Sequence, residues 1–228
     1  MINEQTQKNS MNFSKEIAKT SLETGAIKLE PETPFLWASG YYMPIYNDNR
    51  LLLGSSKHRQ LITEGFKDII ISNNIKVDVI AGTATAGIPP ATSLANLLET
   101  PLIYVRSNQK EHGMKNQIEG ILRENQKVVV VEDLISTGGS ALKAVSAIRK
   151  AGGNVDHCLS IFSYGFSKAI EQFKSAHCQL HHLLNFKELI SLARQNKSLS
   201  PSQFSLLQSW HSDPFNWGIN NGFVDKQD

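Results

Sequence analysis

The residues best equipped for chemistry lie within 128–140. Val128-Val129-Val130-Val131 is followed by Glu132-Asp133 and then by Leu134-Ile135-Ser136-Thr137-Gly138-Gly139-Ser140. Four β-branched residues in a row predict a strand buried on both faces of a parallel sheet. That strand delivers two adjacent carboxylates at its C-terminal end, where open α/β sheets bind ligands. The turn after them is small and hydroxylated and runs straight into a helix. Its backbone N–H groups, with the helix dipole, make an anion site. Ser136, Thr137 and Ser140 add hydroxyl donors, while Gly138 and Gly139 let the backbone approach a phosphate closely. Acidic residues ahead of such a turn suit a ligand with hydroxyls and a phosphate together, as in a phosphorylated sugar. The plain alternative is an ordinary β–α turn with an acidic strand end. Two ionised carboxylates behind four valines are costly without partners, which weighs against it. The spacing is neither that of a Walker A loop nor that of the dinucleotide fingerprint, and no lysine follows the glycines.

A second candidate anion turn is Gly82-Thr83-Ala84-Thr85-Ala86-Gly87-Ile88, predicted to close one strand and open the next helix. Alone such a turn is common; beside a first phosphate site it gains weight. The polar loop 106–119 offers Arg106 as a rigid fork, Lys110 as a point charge and His112 as a titratable donor. By composition alone it is a solvated surface loop. Nearer the N-terminus, Phe35-Leu36-Trp37-Ala38-Ser39-Gly40 and Tyr42-Met43-Pro44-Ile45-Tyr46 read as a hairpin. The polar run Asn47-Asp48-Asn49-Arg50 follows it. Aromatic rings beside Arg50 suit a flat anionic ring, and they equally suit a small structural hairpin.

Elements that alternate must position these residues. Residues 14–24 predict a short helix ending at Gly25, and the hairpin after it is expected outside the main core. From residue 57 a helix (Leu61, Ile62, Phe66, Ile69, Ile70) is followed by a strand over 77–81. A small-residue helix (Ala91, Leu94, Ala95, Leu98) and a strand over 102–105 come next. After the strand 128–131 a helix carries Ala141, Leu142, Val145 and Ile148 on one face and ends near Gly152. Strands over 155–162 and 180–184 complete the set. Repeated β–α alternation predicts a doubly wound, mostly parallel α/β sheet. Residues 1–12 read as a disordered tail and 13–228 as one domain. That domain carries a hood (about 25–55), the loop 106–119, and a C-terminal stretch 186–217 that packs back on the hairpin.

Composition narrows the classes. The chain has 228 residues, 40% hydrophobic and 19% charged, as globular domains do. A formal charge of +2 with no basic run argues against nucleic-acid binding. The two cysteines, Cys158 and Cys178, have no metal-binding spacing and read as free buried thiols of a reducing compartment. No signal segment or membrane-length apolar run occurs, so a cytoplasmic protein without membrane contact is expected. His181, His182, Trp210 and Trp217 read as structural.

The stretch 128–140 resembles the phosphoribosyl pyrophosphate (PRPP) signature of the type I phosphoribosyltransferases. The loop matches the Arg-Lys-x-x-Lys-x-His-Gly lid of the orotate enzymes at Arg106, Lys110, His112 and Gly113, with Ile118-Glu119-Gly120 downstream. Ser107 stands where that pattern has its second lysine. The hairpin is similar to their hood pattern Ser-Gly-x-x-x-Pro-Ile-Tyr-x-Asp-x-Arg, while Ala38 and Tyr164-Gly165-Phe166 replace basic residues found in some members. The resemblance implies an orotate phosphoribosyltransferase making orotidine monophosphate and pyrophosphate. Glu132 and Asp133 would hold the ribose hydroxyls, residues 136–140 would wrap the 5′-phosphate, Leu134 and Ile135 would belong to the same PRPP site, and Thr83, Ala84 and Thr85 would contact pyrophosphate. Arg106, Lys110 and His112, with Asp133, would be catalytic. Arg50, Tyr46 and Ser136 would meet orotate. It implies Mg²⁺ held mainly through PRPP, with no direct protein ligand, and a homodimer whose lid serves the neighbouring subunit. Two alternatives share the phosphate sites: a purine-base enzyme, opposed by the hood and lid patterns, and a PRPP-binding regulator, opposed by the lid and the absence of a basic patch.

Overall fold

The computed structural model describes residues 12–37, 39–107 and 117–223. Helix α1 (Phe13–Glu23) opens on Asn12, whose side chain accepts from the Lys15 N–H, and the rest of the expected tail, 1–11, lies outside the described residues. Gly25 (φ +72°) turns the chain into the hood. There β1 (Ile27–Leu29) pairs antiparallel with β4 (Ile45–Asn47), and β2 (Phe35–Leu36) pairs with β3 (Tyr42–Met43). The expected hairpin is therefore present, with its second arm split at Pro44 into strands of two different ladders. A 3₁₀ segment, Asn49–Gly54, leads out.

The main domain continues with α2 (Ser56–Ser72), β5 (Val79–Thr83), α3 (Ile88–Leu98), β6 (Leu102–Val105) and β7 (Ile118–Glu119). Then come β8 (Lys127–Ile135), α4 (Gly139–Lys150), β9 (Asn154–Ser163), α5 (Ser167–Ser175) and β10 (Gln179–Asn185). Helices α6 (Phe186–Gln195), α7 (Pro201–Ser212) and α8 (Trp217–Asn220) close the described chain. The six-stranded sheet runs β10-β9-β8-β5-β6-β7, parallel except for β7. From β5 the chain winds outward through β6, then returns to add β8, β9 and β10 on the other side. The winding direction reverses between β5 and β8, and a crevice opens there at the strand ends.

Both faces of the sheet are covered, which is why β8 begins with an unbroken run of valines. Val128 and Val130 pack under α4 with Ala141, Val145 and Ile148. Val129 and Val131 point to the opposite core with Phe66, Leu94 and Leu159. The hood belongs to that second core: Ile27, Met43 and Ile45 are buried in it, contrary to its expected place outside. The hood strands are short, and their inward side chains find much of their cover against the C-terminal segment. Trp210 Nε1 lies 2.9 Å from Met43 Sδ, Tyr41 and Tyr42 meet Phe215 and Phe223, and a Cβ on Gly218 would come within 3.0 Å of Tyr42. The C-terminal stretch thus packs back on the hairpin as expected. Cys158 and Cys178 are free and buried. No helix among the described residues is long and apolar enough to cross a membrane.

Candidate active site

Strand β8 runs four residues beyond the valines. Its pairing with β5 stops at Gly82↔Val131, whereas its pairing with β9 continues to Ile135↔Ser163. Residues 132–135 are therefore held by β9 on one edge and present the other edge to the crevice. Glu132 and Asp133 lie in the C-terminal part of the strand, as expected, and the β9 ladder keeps the stretch extended as far as Ile135. Glu132 is 7% exposed. Burial raises its pKa above the usual carboxylate range, and the neighbouring Asp133 adds to the rise while a hydrogen bond with Thr83 offsets part of it. Asp133 is raised by burial too, partly offset by its hydrogen bonds with Glu132, its own backbone and that of Leu134. The pair is poised for hydroxyl donors or a cation that would let both ionise.

Two turns flank this pair. After β8, Ser136 and Thr137 lead to Gly138, whose φ of +85° makes it the N-cap of α4 without any side-chain cap. A Cβ there would sit 2.8 Å from Phe173, whereas one on Gly139 would meet nothing within 4 Å. The turn is thus packed behind and open in front, and the first N–H groups of α4 have no intrahelical acceptor. Ile135 is buried beneath α4, so only its backbone is available to a ligand. Beyond β5, the turn over 84–87 includes a cis peptide between Ala84 and Thr85 and leads into α3, whose N-cap Gly87 also lacks a side-chain cap. Thr83 Oγ1 donates to the Val131 carbonyl at 3.1 Å, locking this turn against β8.

A cleft of about 290 Å³ joins the two turns. Thr83 and Ala84 line one side, Thr137, Gly139, Ser140 and Lys143 another, and Arg106, Ser107 and Gln117 a third. Arg106 N–H donates to the Gln117 carbonyl at 2.9 Å, and Gln117 Nε2 donates back to the Arg106 carbonyl at 2.8 Å. The expected loop 106–119 is thus closed at its base, and its last residues form β7 against β6. Arg106 also pairs with Glu119 at 3.6 Å. Lys110, His112 and Gly113, like Ala38 of the hood, lie outside the described residues.

The hood supplies a second, smaller pocket that brings Arg50 and Asp133 together with Asn49, Ala86 and Ile161. Arg50 grips Asp48 through Nε–Oδ1 (2.6 Å) and Nη2–Oδ2 (2.9 Å), which holds the Asp48 carboxyl below its usual range. Tyr46, stacked obliquely on Phe35, and Ser136 do not line this pocket. Two residues escaped the sequence reading. Asn49 is 3% exposed and donates to the Asp133 carbonyl, and Lys143 reaches the cleft from α4. Lys143 was legible as lying one turn beyond Gly139 on the same helix face; nothing local marked Asn49, whose partner is distant in sequence.

The phosphoribosyl transferase domain model matches residues 56–177, more than half of the chain. Beyond that domain, the chain is 46% identical over 207 residues to the orotate phosphoribosyltransferase of Cytophaga hutchinsonii, covering 91% of this chain and 99% of the relative. It belongs to the orotate phosphoribosyltransferase family. The orotate phosphoribosyltransferase of Staphylococcus saprophyticus is 48% identical over 201 residues, covering 88% and 99%. Among solved structures, the orotate phosphoribosyltransferase of Aeropyrum pernix superposes with a TM-score of 0.70 at 28% identity, covering 81% of this chain and 99% of that one. In this family member the hood, which lies N-terminal to the matched domain, sits beside the switch-point crevice and shares Asp133 with it.

Proposed function

We propose that this chain is an orotate phosphoribosyltransferase: it transfers the ribose-5-phosphate of PRPP to orotate, giving orotidine 5′-monophosphate and pyrophosphate. One observation carries the reading. The paired carboxylates of β8 lie between two turns that open helices without side-chain caps, beside a hood pocket holding Arg50. Such an arrangement suits a sugar with hydroxyls in the middle and phosphates at both ends.

Glu132 and Asp133 accept hydrogen bonds from the ribose hydroxyls, and residues 136–140 hold the 5′-phosphate through backbone N–H groups and the hydroxyls of Ser136, Thr137 and Ser140. Thr83, Ala84 and Thr85 hold the pyrophosphate with Arg106, Lys110 and His112. The bond between the anomeric carbon and pyrophosphate breaks, and a ring nitrogen of orotate bonds to that carbon. Positive charge developing on the ribose is stabilised by the carboxylates, and negative charge on the leaving group by the cations. Arg50 receives the orotate carboxylate and ring, with Tyr46 and Ser136 assigned to orotate from outside its pocket.

Among the described residues no group of three or more His, Cys, Asp or Glu is arranged to hold a metal. The site would suit Mg²⁺ carried mainly by PRPP oxygens, hydroxyls and water, with no direct protein ligand, and the ion would supply neutralising charge to the diphosphate. We further propose a cytoplasmic homodimer in which the loop 106–119, rooted by Arg106 and Ser107 at the cleft of its own subunit, reaches over the neighbouring site and excludes water.

The test is loss of orotate absorbance with PRPP and Mg²⁺, with adenine and xanthine in parallel. Orotate consumption that vanishes in Lys110→Ala is the expected result. Consumption of a purine instead, or PRPP binding without turnover of any base, would overturn the reading.

A further inference from the structure

We propose that Lys143 binds the diphosphate end of PRPP, supplying from α4 the cation that position 107 lacks; this deepens the proposed function and rests on it. The cleft between the two phosphate turns must balance a ligand of high negative charge. Its described lining contains two cations, Arg106 and Lys143. Arg106 is drawn toward Glu119 at 3.6 Å, so part of its charge is already answered. Ser107, next along the lid stem, brings no charge to the same wall. Lys143 has no ion pair among the described residues, although it lines this cleft together with Thr83 and Ala84.

Helix geometry directs the lysine inward. Side chains on a helix lean toward its N-terminus, so a residue one turn into α4 covers the surface above Gly139 and Ser140. Lys143 is exposed at the cleft, so its ammonium is available to an anion held between the two turns. Because Arg106, Ser107 and Thr83 share the cleft with it, the diphosphate is assigned to it, and the 5′-phosphate is left to the backbone of 136–140. A flexible lysine from a packed helix can follow the diphosphate as it departs, which a backbone turn cannot.

The experiment compares wild type, Lys143→Ala, Lys143→Arg and the double variant Ser107→Lys/Lys143→Ala. Lys143→Ala is expected to raise the KM for PRPP about tenfold, the size of a lost charge-assisted hydrogen bond. The KM for orotate should stay within about twofold, since a charge contact touches only its own ligand. Product inhibition by inorganic pyrophosphate weakens in step with the KM for PRPP, and added salt shrinks the difference. Lys143→Arg retains most affinity, and Ser107→Lys restores most of what Lys143→Ala loses. An unchanged KM for PRPP in Lys143→Ala overturns the proposal. So does weakened inhibition by ribose 5-phosphate with pyrophosphate inhibition intact, or a deficit that Ser107→Lys does not repair. Wild-type turnover of orotate is measured alongside, so failure of the enzymatic reading itself is seen separately.

Discussion

Asn49 Nδ2 donates to the main-chain carbonyl of Asp133 at 2.8 Å, joining residues 84 positions apart. The bond ties the hood to the free edge of β8 where the carboxylates stand. The pocket that holds Arg50 and the strand that holds the ribose site are thereby fixed relative to each other before any substrate arrives. Placing two reactants in register is what such a tether contributes.

Replacing Asn49 with alanine leaves the Asp133 carbonyl without its buried donor, at a cost of about 1–3 kcal/mol. Thermal denaturation should show a lower midpoint, and both Michaelis constants should rise together because both subsites lose their common anchor. Asn49→Asp should be worse, since it brings a third carboxylate beside Glu132 and Asp133. Melting curves that overlay the wild type would show the tether to be idle.

The carboxylate pair makes the ligand-free protein sensitive to alkali. Burial raises the pKa of Glu132 in the folded state, so the native chain binds its proton more tightly than the unfolded chain. That contribution is fully present below the ordinary carboxylate range and is lost as pH rises through the folded value. Glu132→Gln is permanently neutral. Between about pH 5 and about pH 9 its melting temperature should fall less than that of the wild type, while its activity is largely abolished. A parallel fall in both proteins would sink the idea.

Much of this was legible because local pattern and global fold agree. The valines of β8 announced a doubly covered strand, and the glycines and hydroxyls after it announced the phosphate turn. The helix α5 was not anticipated, since only Ala169 and Phe173 of it are buried, too few to show a period. The length of β8 was underread because Glu132 and Asp133 have poor strand preference. Their extended form is imposed by pairing with Ser160 and its neighbours on β9, which no local window contains. For the same reason the hood was placed outside the core, since its cover comes from Trp210 and Trp217 at the far end of the chain.

Tyr164 offers a test in the opposite direction. Its ring is enclosed by Trp37, Phe162, Phe166 and Trp210, and its hydroxyl is buried without a hydrogen-bond partner among the described residues. Burial pushes the phenol well above its ordinary pKa, so it does not ionise at any working pH. Tyr164→Phe removes an unsatisfied polar atom and keeps the ring packing. It should be neutral or stabilising by up to about 1 kcal/mol in thermal denaturation, with orotate turnover unchanged. A destabilisation of more than that would mean the hydroxyl has a partner in solution.

Gly87 is the position where a single methyl group should do most harm. A Cβ there would lie 2.3 Å from Thr83 Oγ1 and 2.5 Å from the Val131 carbonyl oxygen. Both atoms belong to the hydrogen bond that locks the pyrophosphate turn against β8, so neither can yield without breaking it. Gly87→Ala therefore separates β5 from β8 at the switch point and costs about 2–4 kcal/mol, as overpacking and a lost buried hydrogen bond together require. The loss should appear in the melting temperature and, more sharply, in affinity for inorganic pyrophosphate, because the turn proposed to bind it has moved. Gly139→Ala is the control on the other turn: its Cβ would meet nothing within 4 Å, so stability should be kept. If Gly87→Ala melts like the wild type and binds pyrophosphate equally well, the close packing between these turns is not what shapes the site.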